Sequence, residues 1–301
     1  MGSALTTIGL PVALGIIMFG LGLSLTPGDF ARVVKQPKAV IIALLCQLIL
    51  LPAICFGLVL LFQLPPILAV GMMMLAASPG GTTANLYSHL FRGDVALNIS
   101  LTAVNSVIAG VTLPIITNLA IAYFNPFDDQ LGLQWSKALE VFAIVLLPVA
   151  LGMIVRHFWA NFAKAMDKPV RIASIIILIV VIAGAVASNW DLLIADFGRL
   201  AAITIVFCLV SLAVGYWAPR LFHVGKRQSV ASSFEIGIHN ATLAIVIAQS
   251  VLGSTELSLP AAVYGVLMFF IAFGFGFIIR ERETTDAAAE PEPEETTAAT
   301  T

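Results

Sequence analysis

Apolar residues gather along the chain into nine blocks, near 7–25, 39–62, 66–91, 94–123, 136–156, 172–190, 199–219, 228–252 and 259–279, parted by short polar connections. A helix of about 20 residues crosses some 30 Å of hydrocarbon. The pattern therefore predicts an all-α polytopic membrane protein with nine transmembrane helices. Two blocks are broken near mid-span by polar, helix-breaking residues: Pro79-Gly80-Gly81-Thr82-Thr83-Ala84-Asn85 in the third, and Glu235-Ile236-Gly237-Ile238-His239-Asn240 in the eighth. Residues 66–78 would rise about 20 Å and 241–252 about 18 Å at 1.5 Å per residue, short of the hydrocarbon thickness. Both broken segments are expected to end near the midplane, as two discontinuous helices that cross there. Being five spans apart, they would traverse the bilayer in opposite directions, which is the mark of an inverted repeat.

Charge sets the expected orientation. Thirteen of the 15 Lys and Arg residues, from Arg32 to Arg282, fall at alternate connections, and only Lys137 and Arg199 fall at the others. The positive-inside rule then places the N-terminus outside and the C-terminus in the cytoplasm, in the plasma (inner) membrane. The overall composition agrees, with 59% hydrophobic and only 11% charged residues, and no connection is long enough to fold alone. The net charge of −2 is misleading, because seven of the 17 acidic residues lie between Glu281 and Glu295. Without that end, 14 basic residues face 10 acidic ones. Residues 281–301, rich in Glu, Pro, Ala and Thr, read as a disordered acidic cytoplasmic tail. Cys46, Cys55 and Cys208 all fall inside apolar blocks, without the spacing of a disulfide framework or metal site. The lipid bilayer is an expected partner, and nucleic acid is not.

Glu235 is the one acidic residue that this count places deep within a span. Intramembrane carboxylates are costly and tend to serve a function, here most simply holding a cation; the competing reading puts Glu235 at the cytoplasmic boundary beside Lys226 and Arg227. Around it the sequence supplies hard oxygen donors: Thr82, Thr83, Asn85, Asn98, Thr102, Asn105 and Ser106 in the first half, Asn240 and Thr242 in the second. One carboxylate among neutral oxygens suits an alkali cation, whereas a transition metal calls for clustered His or Cys. Asn98, Thr102, Asn105 and Ser106 recur at helical spacing and share a face, which also fits an interhelical hydrogen-bond seam. Gln47, inside the second block, is either helix glue or one more carbonyl oxygen. His239 either pairs with backbone in the unwound segment or acts as a ligand or proton carrier. No arginine is expected at the crossing to clamp a carboxylate.

At these residues the chain resembles the bile acid:sodium symporter family. The likeness runs from Gly15-Ile16-Ile17-Met18-Phe19-Gly20-Leu21-Gly22-Leu23-Ser24-Leu25-Thr26-Pro27 through Gln47 and Pro52, Pro79-Gly80-Gly81-Thr82, Asn85, Arg92-Gly93-Asp94-Val95-Ala96-Leu97 and Thr102 to the motif from Glu235 to Asn240. The resemblance implies a nine-helix bacterial-type member with a core domain, 39–123 and 199–279, moving against a panel domain, 7–25 and 136–190. It implies a first sodium site at Asn85, Asn98, Thr102 and Glu235, and a second at Gln47, Glu235, the backbone of Ile236 and Ile238, and His239. Thr82 and Asn240 would face the substrate. Three departures stand out: Ala84 and Asn98 each replace a serine, and His239 replaces a glutamine, putting a poor sodium ligand at the second site.

The expectation is a sodium-coupled symporter, with one or two coupling Na+, that imports an organic anion such as a bile acid or small carboxylate by alternating access. Proton-coupled or single-sodium transport is the alternative. A channel or an intramembrane enzyme is a weaker fit, since no H-E-x-x-H, G-x-S-x-G or Walker pattern is present.

Overall fold

The computed structural model describes residues 10–125 and 135–280; residues 1–9 and 126–134 and the acidic tail from 281 onward lie outside the described residues. The described chain is helical, with no sheet among its elements. The helices are α1 Leu10–Ser24, α2 Pro27–Lys35, α3 Pro37–Leu61, α4 Pro66–Ala77, α5 Thr83–Leu90, α6 Val95–Phe124, α7 Trp135–Phe158, α8 Ala160–Ser188, α9 Trp190–Leu221, α10 Lys226–Gly237, α11 Ala241–Val251 and α12 Leu259–Ile279. Five of them, α3, α6, α8, α9 and α12 with its short lead-in from Glu256, are long and apolar enough to cross a membrane. A sixth arises if α1 and α2, bent by 62° at Leu25–Thr26, count as one span. These apolar helices fit a polytopic membrane protein.

Two stretches that hydropathy reads as connections are helical. Residues 160–171 form the first turns of α8, which carries Pro169 without breaking, and 191–198 form the start of α9. There Asp191 sits in the first turn, where a helix N-terminus favours negative charge, and Asp196 pairs with Arg199 at 3.6 Å. Apolarity stops at the edge of hydrocarbon, but backbone hydrogen bonding need not. The polar residues 26–35 form α2, opened by Thr26 and Asp29: the Asp29 carboxylate accepts the Thr26 backbone N–H at 2.8 Å.

The helices pack as two groups: α1 lies against α7 and α8, while α9 packs on α10 and α12, and α4 is held between α3 and α6. Gly22 and Gly152 make the α1–α7 contact close, since a Cβ on either would strike the backbone of the other helix. This is the small-residue crossing that lets membrane helices approach. Near the middle of the second group, Leu68–Ala77 of α4, Ser229–Gly237 of α10 and Ala241–Val246 of α11 are buried on every side. Serines and a glutamate could not sit all round a lipid-facing helix, so α10 is a core element despite its polarity.

Candidate functional site

The helix breaks meet. Ser78 ends α4 with an extended backbone, and Gly80 pairs antiparallel with His239 in a bridge made by Gly81 N–H to the Ile238 carbonyl at 2.7 Å and Asn240 N–H to the Pro79 carbonyl at 2.9 Å. Peptide groups freed by breaking a helix are costly away from water unless they find partners. Here they do. The Ser78 carbonyl accepts Gln47 Nε2 at 2.9 Å and lies 3.3 Å from His239 Nδ1, and the Gly237 carbonyl accepts the Tyr264 hydroxyl at 2.8 Å. Asn240 begins α11 as its cap, Oδ1 accepting the Leu243 N–H at 3.0 Å.

Glu235 is fully buried at this junction, not at a boundary beside Lys226 and Arg227. Its carboxylate accepts Thr102 Oγ1 at 2.5 Å and Asn105 Nδ2 at 3.2 Å, and it hydrogen-bonds the Gly80 backbone. The fit against Gly80 is so close that a Cβ there would overlap both carboxylate oxygens. No Lys, Arg or His forms an ion pair with it among the described residues. A buried carboxylate held by neutral donors alone has its charge incompletely balanced, and a cation would supply the balance.

The neighbouring oxygens point the same way. Asn98 spends its amide N–H groups on Ser88 Oγ at 2.9 Å and the Ala231 carbonyl at 2.7 Å. That fixes its Oδ1, which is buried without a partner, as are Asn85 Oδ1, Asn105 Oδ1 and Ser106 Oγ. On the other side of the bridge Gln47 Oε1 and His239 Nε2 are also buried and unpartnered. A carbonyl only accepts, so the Ser78 contact puts the His239 proton on Nδ1 and leaves a lone pair on Nε2. Unpartnered buried acceptors are rare, and such oxygens are what a bare cation requires of its ligands.

Sequence placed Asn85, Asn98, Thr102 and Glu235 together, and Gln47 with His239; the fold brings Thr102 to Glu235 and joins Gln47 to His239 through Ser78. The Ile238 carbonyl is engaged by Gly81 N–H, leaving it one lone pair. Thr82 is exposed and lines a cavity of about 570 Å³ together with Thr83 and Asn85, whereas Asn240 does not line it. Asn240 is half-buried, with its oxygen committed to the cap.

Four residues at the junction lie outside the sodium and substrate sites that the resemblance implies. Asn105, one of the oxygen donors that the sequence groups around Glu235, turns out to donate its amide to the carboxylate. Ser88 and the pair Phe207 and Tyr264 gave no signal. Phe207 stacks on His239 with ring centres 5.5 Å apart, and Tyr264 meets it edge-on at 5.4 Å.

Two broken helices that meet beside one buried carboxylate, among helices apolar enough to cross a bilayer, fit a polytopic membrane protein with a polar interior. The chain belongs to the sodium bile acid symporter family, whose profile matches residues 11–196. It is 27% identical over 255 residues to the uncharacterized sodium-dependent transporter YocS of Bacillus subtilis (strain 168), covering 85% of this chain and 78% of that protein. It is likewise 27% identical over 257 residues to the probable chloroplastic sodium/metabolite cotransporter BASS2 of Oryza sativa subsp. japonica, covering 85% of this chain but 60% of the rice protein. To the human ileal sodium/bile acid cotransporter it is 25% identical over 277 residues, covering 90% and 78%. The family is one of transporters, not enzymes.

Proposed function

We propose that this protein is a sodium-coupled symporter that imports an organic anion, such as a bile acid or a small carboxylate, by alternating access. The observation that carries the reading is the buried Glu235 carboxylate, held only by the neutral donors of Thr102, Asn105 and the Gly80 backbone. A first sodium would sit among Asn85, Asn98, Thr102 and Glu235, with Asn105 steadying the carboxylate. A second would use Gln47, Glu235, the carbonyls of Ile236 and Ile238, and His239. Thr82 and Asn240 would meet the substrate.

The nine-span, inverted-repeat topology with N-terminus outside belongs to this proposal, as does its division into moving bodies. The packing of α1 on α7 and α8 supports a panel, and the bridged helices with α3, α6, α9 and α12 support a core. The cavity lies between the groups, with Arg156 and Lys164 among its lining residues. By the positive-inside rule those two residues would mark the cytoplasmic side. Cation and anion each make the other's binding more favourable, which is the coupling a symporter needs. With two sodium ions per monovalent anion, one net charge moves, gaining about 2.3 kcal/mol for each 100 mV.

One observation favours a second reading with a single sodium: the ligand that His239 offers is an imidazole lone pair, a poor donor for sodium. Both readings need Glu235. In proteoliposomes, Glu235→Gln should abolish sodium-stimulated anion uptake while the purified protein stays folded and monodisperse. Uptake that still rises with sodium in that variant would overturn the assignment.

A further inference from the structure

The cavity between the two helix groups has a chemistry of its own. Its walls are apolar, with Ile17, Leu21, Ile99 and Val170 among them, and no carboxylate occurs among the described residues that line it. From the crossing it takes the neutral groups of Thr82, Thr83 and Asn85, and His89 in the last turn of α5 lines it as well. Both of its full positive charges come from the other helix group: Arg156 on the last turn of α7 and Lys164 near the start of α8, on either side of the corner at Trp159. Arg156 is half-buried and Lys164 exposed, and neither makes an ion pair among the described residues.

We propose that Arg156 and Lys164 are the specificity-determining pair that binds the anionic group of the substrate, with its apolar body lying along the cavity wall and its far end at Thr82 and Asn85. This assignment rests on the transport reading above and narrows the substrate to an amphipathic anion whose carboxylate or sulfonate is remote from the cation sites. A guanidinium in a partly desolvated pocket with no carboxylate among its described lining residues is the strongest anion anchor that this cavity offers, and it can grip both oxygens of a carboxylate at once. The neutral donors at the crossing can orient a ligand but cannot balance a charge. Substrate held in this way touches both helix groups, α5 through its uncharged end and the α7–α8 corner through its charged one.

The rival account is that both residues only mark the cytoplasmic side. The two accounts differ in what discriminates charge. Binding of cholate, of its uncharged methyl ester and of pantoate is measured by calorimetry on the full chain in nanodiscs, in sodium and in potassium. Arg156→Gln with Lys164→Gln should weaken cholate about tenfold and leave the ester within twofold, while Arg156→Lys, which keeps the charge but loses the two-pronged grip, should weaken cholate by an intermediate factor. Lys38→Gln with Lys168→Gln removes the same charge from the same side without touching the cavity, and should change nothing. Unchanged cholate affinity in the first double variant, equal losses for acid and ester, or a wild type that binds neither anion would each overturn the pair. A wild type that binds cholate equally in sodium and potassium would instead sink the coupling, while the acid-to-ester ratio still decides the role of the pair.

Discussion

Gly80→Ala adds one methyl group where the structure leaves no room for it. Gly80 does not have a positive φ, so alanine brings no backbone strain, and its smaller unfolded-state entropy would slightly favour the fold. The whole cost is contact: the new Cβ overlaps the Glu235 carboxylate, the least compressible partner available. The carboxylate must swing away, and Thr102, Asn105 and the Gly80 N–H cannot all follow it. Losing one charge-assisted hydrogen bond costs about 1.5–3 kcal/mol. If that bond orients the carboxylate toward the cation, sodium affinity falls roughly 10- to 150-fold, at tenfold for each 1.4 kcal/mol. The assay is the sodium midpoint of thermal stabilisation of the purified protein, with choline keeping the ionic strength constant. Gly57→Ala is the control, because a Cβ at Gly57 on α3 meets nothing within 4 Å; it should leave the midpoint alone and raise stability by about 0.5–1 kcal/mol. A Gly80→Ala midpoint within threefold of wild type would refute the placement of the cation at this carboxylate.

Tyr264→Phe removes the hydroxyl that satisfies the buried Gly237 carbonyl and should destabilise the protein by about 1–3 kcal/mol, read as a lower unfolding midpoint in detergent; an unchanged midpoint would mean that carbonyl is otherwise satisfied. Gly152→Leu drives a side chain into the α1 backbone and should cost about 1–3 kcal/mol or more by overpacking, seen as a broadened size-exclusion profile, whereas a sharp profile with normal stability would contradict the close α1–α7 crossing.

Much of the site was legible because its signals are local. A Pro-Gly-Gly run inside an apolar block cannot stay helical, and a glutamate at membrane depth needs a reason. Asn98, Thr102 and Asn105 announced a shared face by spacing alone. What stayed hidden depends on which faces meet. Nothing within the apolar blocks distinguishes Tyr264 or Phe207 from aromatic residues exposed on the outside, such as Phe270 and Phe273, until α9 and α12 pack beside His239. Arg156 and Lys164 read as markers of sidedness, and only the folded α7–α8 corner turns them into cavity lining. The helical starts of α8 and α9 were missed because hydropathy records where a chain leaves hydrocarbon, not where its hydrogen bonds end.

The bridge between the two breaks also bears on how the protein is made. Ser78 and His239 are 161 residues apart, so a ribosome adding about 5–20 residues per second takes roughly 10–30 s to supply the second strand after the first. Throughout that interval Pro79 and Gly81 reside in a half-built bundle with peptide groups that have no mate. Final assembly of the first broken helix is therefore a late event of biogenesis, and a nascent chain halted short of Asn240 should be short-lived, a ready target for membrane quality control.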